Sequence, residues 1–151
     1  MLRILFVCHG NICRSTMAEC VFTDLAARAE VSERFAVDSA ATSTEELGNP
    51  IYPPAARKLR EKGVPILPHA ARQITKGDCE RFDLIVAMDE YNLRNLRRRI
   101  PDRAGKYRLL LDFTDCPGEV ADPWYTRDFE TAYRDILRGC RGLLEALTKN
   151  E

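Results

Sequence analysis

The sequence predicts an α/β fold, a parallel sheet covered by helices on both faces. Two observations carry this. Short apolar runs of strand length alternate with segments of helical periodicity along the chain. The connections between them are short, so successive strands return through helices and run parallel, buried on both sides.

The elements follow in order. Leu2 to Val7 reads as a buried strand, and Thr16 to Glu30 carries Met17, Val21, Phe22, Leu25 and Ala29 at helical spacing. Phe35 to Ala40 is a second, weaker strand. Pro53-Pro54 opens a short helix that closes at Gly63, following the proline-start, glycine-stop asymmetry. Asp83 to Met88 is a third strand, and Asp89 an N-cap for a helix with apolar Leu93, Leu96 and Ile100. Tyr107 to Leu111 is a fourth strand. A last helix keeps Phe129, Ala132, Tyr133, Ile136, Leu137, Cys140, Leu143, Leu144 and Leu147 in one stripe. Pro-containing stretches at 50–54 and 64–68 read as surface turns inside a single domain over residues 1–151.

Composition narrows the function. The 151 residues suit one domain with a core large enough to need no disulfide or metal staple. Lys+Arg and Asp+Glu balance at 23 each, which argues against a generic nucleic-acid binder. The run Arg94 to Arg99 (RNLRRR) could suit a nucleic acid or an acidic partner, but reads more simply as a solvated helix face. His9 and His69 are the only histidines, which disfavours a His-rich metal site. The six cysteines, at 8, 13, 20, 79, 116 and 140, contain no CxxC pair. With no signal peptide and no membrane-length apolar run, they read as thiols of a cytoplasmic protein.

The chemistry gathers in FVCHGNICRST. The loop from Cys8 to Ser15 leaves a strand at its carboxyl end, where open α/β sheets hold ligands, and enters a helix N-terminus, which attracts anions. Gly10 and Asn11 can take positive φ angles and turn successive amides of His9 to Ser15 inward as an anion nest. Arg14 adds a planar, permanently charged fork for phosphate oxygens. The same positive field favours a thiolate at Cys8. Cys20 reads as a packing residue. Cys13 is either a passive neighbour or a partner for a reversible disulfide with Cys8.

A thiolate attacking a phosphate ester needs a separate acid for the leaving group. The run ADPWY, between the fourth strand and the last helix, returns to the same sheet edge. Pro123 keeps Asp122 extended, and Trp124 and Tyr125 offer aromatic walls beside it.

VCHGNICRS, AMDEYNLRNL and DPWY, in this order, resemble the low-molecular-weight protein tyrosine phosphatases over roughly residues 2 to 147. The resemblance implies a four-stranded parallel sheet in the order 2-1-3-4, with the phosphate loop after strand 1. It implies Cys8 as nucleophile, Arg14 as phosphate clamp and Asp122 as general acid and then base, with no metal or cofactor. Asn11, Ser15, Ser39 and His69 match polar residues that hold the loop and tune the thiolate. The substrate is expected to be a phosphotyrosine-containing protein or peptide, with inorganic phosphate as product, and the chain a monomer acting on neither nucleic acid nor membrane. Ile12, Glu45, Trp124 and Tyr125 would line the substrate pocket. The chain departs from the family's pattern at Ala41, Glu45 and Tyr52. Glu45 and Glu46 would make that rim acidic and disfavour acid-flanked phosphopeptides.

Two related activities are weighed against this. Arsenate reductases of the same fold relay a disulfide through further cysteines, commonly a close pair, which Cys79 lacks. Protein-arginine phosphatases tend to carry threonine where this chain has Ile12, and a branched apolar residue there goes with phosphotyrosine. A phosphate loop that only binds phosphoproteins would be expected to have lost Cys8, Arg14 or Asp122, and all three are present.

Overall fold

A computed structural model describes residues 1–149. Four strands, β1 (Leu2–Cys8), β2 (Phe35–Ala41), β3 (Leu84–Ala87) and β4 (Tyr107–Leu109), form one parallel sheet in the order β2-β1-β3-β4. The register pairs Cys8 with Ala41, Val7 with Ala87, and Ala87 with Leu109. The carboxyl ends of the strands therefore share one edge, with β1 at the centre where the chain changes direction across the sheet. That is the position where open α/β sheets leave a crevice.

Six α-helices accompany the strands: α1 (Arg14–Arg28), α2 (Pro53–Glu61), α3 (Lys76–Arg81), α4 (Glu90–Arg99), α5 (Pro123–Thr126) and α6 (Phe129–Thr148). Alternate side chains of β1 divide the core. Ile4, Phe6 and Cys8 pack on one face with Met17, Phe22, Leu59, Ile136 and Cys140, from α1, α2 and α6. Leu5 and Val7 pack on the other face with Leu93 and Leu96 of α4 and with Ile74 and Phe82 beside α3. Double burial accounts for the unbroken apolar run of this central strand.

Several boundaries differ from the sequence reading. The first helix starts at Arg14, two residues before Thr16. The fourth strand stops at Leu109, and Leu110–Phe113 coil into a 3-10 turn instead of extending it. The Asp112 carboxylate accepts from the Leu109 amide at 3.2 Å and bends the chain, turning Leu110 and Leu111 into the core against α6. α3 and α5 have six and four residues, too short to show a periodic stripe. A reciprocal cap nonetheless starts α3: Thr75 Oγ1 accepts from the Asp78 amide, and the Asp78 carboxylate accepts from the Thr75 amide.

Candidate active site

β1 ends in Cys8, whose side chain is buried at the floor of a cavity of about 100 Å3. The chain then curls through residues 9 to 13 into α1. Cys13, at the helix N-cap, makes no side-chain cap, and the first turn contains no acidic residue. The free amides of that turn are therefore available to an anion. One of them, Ser15 N, points at Cys8 Sγ from 3.4 Å.

Asn11 holds the curl. It adopts φ of 60°, and its side chain ties three segments together. Nδ2 donates to Ser15 Oγ at 2.8 Å and to Ser39 Oγ at 3.0 Å, while Oδ1 accepts from the Arg72 amide at 3.2 Å. Its carbonyl accepts from His69 Nε2, which fixes the proton on that nitrogen. Gly10 does not share the positive φ expected from the sequence. Its lack of a side chain answers a crowding problem instead, because a Cβ there would lie 3.3 Å from Glu46 Cγ.

Ser15 Oγ is 3.0 Å from Cys8 Sγ. With Asn11 donating into this oxygen, the hydroxyl proton is free to point at the sulfur, an arrangement that favours the thiolate. The chain of contacts continues inward: Ser39 Oγ donates to Glu19 Oε1 at 2.6 Å. Burial pushes the Glu19 carboxyl up to about 7, against the opposing effect of the Ser39 hydrogen bond. Burial first, and then the charges of Cys8 and Asp122, push the Cys13 thiol well above its usual range.

Arg14 is buried along its length and spans the cavity wall. Nη1 donates to Asp89 Oδ2 at 2.6 Å and to the Val120 carbonyl at 2.9 Å, and Nη2 donates to Asp122 Oδ2 at 3.3 Å. Burial disfavours its charge, but the charges of Cys8, Asp122 and Asp89 outweigh this and leave the guanidinium above its ordinary pKa. Asp122 is held by α5: Pro123 occupies the first turn, and Asp122 Oδ1 accepts from the Trp124 amide at 3.0 Å.

The walls of the cavity differ in character. Trp124 and Tyr125 stand on one side, exposed at the mouth. Tyr52 supports Trp124 with ring centroids 4.9 Å apart, and Arg127 Nη1 donates to its hydroxyl at 3.3 Å. Glu45 and Glu46 line the cavity as well, and His9 Nε2 meets Glu45 Oε2 at 2.9 Å. Ile12 and Cys13 complete the lining.

Every residue expected from the sequence is thus at the cavity or in the network beneath it. Two others were not singled out for the site. Asp89 was read only as a helix cap, and it caps α4 with Oδ1 while holding Arg14 with Oδ2. Glu19 is the other; Glu46, expected at an acidic rim, lines the cavity, and Tyr52, noted only as a departure from the family's pattern, packs on Trp124. Glu19 stands on the same helix as Arg14, and its polar side chain at a core-facing position is the one local signal for it.

The family model described as low molecular weight phosphotyrosine protein phosphatase matches residues 3–151. The chain belongs to that family. It is 44% identical to the human low molecular weight phosphotyrosine protein phosphatase, over 94% of this chain and 93% of that protein. The crystal structure of the phosphatase-family protein YfkJ from Bacillus subtilis, 37% identical, superposes with a TM-score of 0.95 over 100% of this chain and 97% of that one. A Drosophila arginine phosphatase is also similar in structure, at 27% identity and a TM-score of 0.90, over 99% of this chain and 100% of that one. Among the described residues, no group of three or more His, Cys, Asp or Glu side chains is placed to hold a metal ion, and no helix is long and apolar enough to cross a membrane.

Proposed function

We propose that the chain, a single phosphatase domain over residues 1–151, hydrolyses phosphotyrosine monoesters of proteins in two steps through a phosphocysteine. The observation that carries this reading is the convergence of Cys8 Sγ, the Arg14 guanidinium and the Asp122 carboxyl on one cavity with an aromatic wall. The Cys8 thiolate attacks phosphorus, and the phosphorus–oxygen bond to the tyrosine breaks. Amides of the 9–15 loop and the Arg14 fork hold the three equatorial oxygens and stabilise charge as it builds. Asp122 gives its proton to the departing phenolate. It then takes a proton from water, whose oxygen attacks phosphorus and releases inorganic phosphate and the Cys8 thiolate. No step calls for a metal or cofactor.

Ser15, Asn11, Ser39 and His69 support the loop, and Ser15 also donates to the sulfur. Ile12, Glu45, Trp124 and Tyr125 shape the substrate pocket, with Trp124 and Tyr125 suited to stack on a phenol ring. A working Cys8 must be an unoxidised thiol, which suits a reducing compartment such as the cytoplasm and a monomer acting there. Cys13 lines the same cavity as Cys8, which supports reading it as the partner of a reversible disulfide under oxidation. Neither Cys79 nor Cys116 lines the cavity, so a thiol relay of the arsenate-reductase kind lacks a second carrier beyond Cys13.

Hydrolysis of p-nitrophenyl phosphate and of phosphotyrosine at mildly acidic pH, without metal, tests the mechanism. Cys8→Ser is expected to abolish both. Asp122→Ala should cost about 10²–10⁴ in kcat for phosphotyrosine and less for p-nitrophenyl phosphate, whose leaving group needs less help. Full activity of the Cys8→Ser protein would sink the mechanism. Phosphoarginine turnover exceeding that of phosphotyrosine would reassign the substrate.

A further inference from the structure

The arginines at the end of α4 take no part in the catalytic site. α4 starts beside Arg14 and crosses from the carboxyl end of β3 to the amino end of β4, so it finishes at the edge of the sheet away from Cys8. There the 100–106 loop and α3 enclose a second cavity of about 430 Å3. Ile100, Ala104, Cys79 and the buried ring of Tyr107 give it an apolar interior. The polar groups of its walls are already matched. Tyr107 Oη donates to the Ile100 carbonyl at 2.8 Å, Lys106 Nζ to the Cys79 carbonyl at 2.8 Å, and the Asp102 carboxylate accepts from the amides of Lys106 and Tyr107.

Cations crowd the rim. The side chains of Lys76, Arg99 and Arg103 line the cavity and make no hydrogen bond or ion pair among the described residues; Glu80 is the one other acid there besides Asp102. Arg94 and Arg98 are likewise exposed and unpaired along α4. A helix C-terminus favours an arginine in its last turn. That explains Arg99 but not Lys76 or Arg103, which belong to other segments.

We propose that this cavity docks an acidic peptide segment of a partner protein, with an apolar side chain inside and carboxylates on Lys76, Arg99 and Arg103. A small inorganic anion would meet the cations and leave the apolar interior unfilled. A nucleic-acid backbone would meet them too, but carries no apolar side chain to insert. The cations on α4 also extend about 7.5 Å beyond the cavity, from Arg99 back to Arg94, a span that suits an extended chain. A partner held here leaves the Cys8 cavity open, so docking raises the local concentration of phosphotyrosines carried on the same chain. This reading does not depend on the chemistry proposed for Cys8.

The test titrates the ¹⁵N-labelled full-length protein with a decapeptide of glutamates around one central phenylalanine, following amide shifts and fluorescence anisotropy. Saturable binding with shifts at Lys76, Ala104 and Lys106 is expected. The Arg99→Glu/Arg103→Glu variant should bind about tenfold more weakly, as should wild type with the phenylalanine replaced by alanine. Turnover of p-nitrophenyl phosphate by the variant should equal that of wild type, which shows it folded and separates this proposal from the catalytic one. The proposal is overturned by absence of saturable binding, by affinity indifferent to either substitution, by shifts confined to Gly10 and Trp124, or by an oligonucleotide that binds the same residues more tightly.

Discussion

Glu19 is the buried end of a chain of contacts that runs through Ser39, Asn11 and Ser15 to Cys8. Its carboxyl is raised to about 7 by burial, so the folded chain holds that proton more tightly than the unfolded one. The sign of the linkage follows. This group's contribution to stability is full below the unfolded pKa of about 4.5 and is lost as pH rises through about 7. The size is roughly 3 kcal/mol, at 1.36 kcal/mol for each pH unit between the two values. Glu19→Gln cannot ionise but keeps an oxygen to accept from Ser39. Urea unfolding at pH 4.5 and pH 8 should therefore show wild type losing roughly 3 kcal/mol more than the variant between the two. Parallel losses would show that Glu19 ionises without penalty. Ser39 and Asn11, polar residues read from the sequence as loop supports, owe their position partly to this carboxylate, which sequence reading passed over as one more polar residue on a helix.

α6 and the 3-10 turn at Leu110–Phe113 meet through two glycines. A Cβ on Gly139 would collide with Leu110, whose side chain is fully buried, and one on Gly142 would collide with the backbone carbonyl of Phe113. Glycine to alanine inside a helix ordinarily stabilises by about 1 kcal/mol. Here the sign reverses, because a carbonyl held in a turn cannot swing aside as a side-chain tip can. Gly142→Ala is expected to lower stability by about 1–3 kcal/mol, the range for overpacking, while Gly118→Ala, with open space around it, stays within about 0.5 kcal/mol. Thermal or urea unfolding of both variants measures the contrast, and a stabilised Gly142→Ala would refute the close approach. The same contact explains where sequence reading ended too late. Leu110 and Leu111 look like the continuation of an apolar strand, and the Asp112 cap together with the proximity of α6 makes them coil. The long elements were legible because burial marks them every second or every third to fourth residue. α3 and α5 are shorter than the patterns that reveal helices, and their caps are the signal that remains.

At the scale of the whole molecule, the balance of 23 basic against 23 acidic side chains conceals a separation. Glu45 and Glu46 stand at the catalytic cavity, while Arg99 and Arg103 stand at the far end of α4. Much of the site could be read locally, because Cys8 to Ser15 is one continuous loop and Asp122-Pro123 a compact turn. Asp89 and Tyr52 could not, since their roles depend on side chains 75 and 72 residues away, Arg14 and Trp124. The acidic mouth carries a consequence for substrate choice. A charged rim around a cleft with low-dielectric walls concentrates field and alters capture of charged ligands by about tenfold or more. A phosphotyrosine peptide flanked by lysines should therefore show kcat/KM about tenfold above one flanked by glutamates at low ionic strength. His9 contacts Glu45 alone of the two, while Glu46 Oε2 accepts from Asn49. Raising salt from about 0.01 M to about 1 M shortens the Debye length from about 30 Å to about 3 Å, so the preference should shrink accordingly. Glu45→Gln/Glu46→Gln should collapse it at low salt while leaving kcat for p-nitrophenyl phosphate close to wild type, because the proposed mechanism gives the proton transfers to Asp122. Equal kcat/KM for the two peptides with wild type at low salt would mean that the rim does not read the flanking charge.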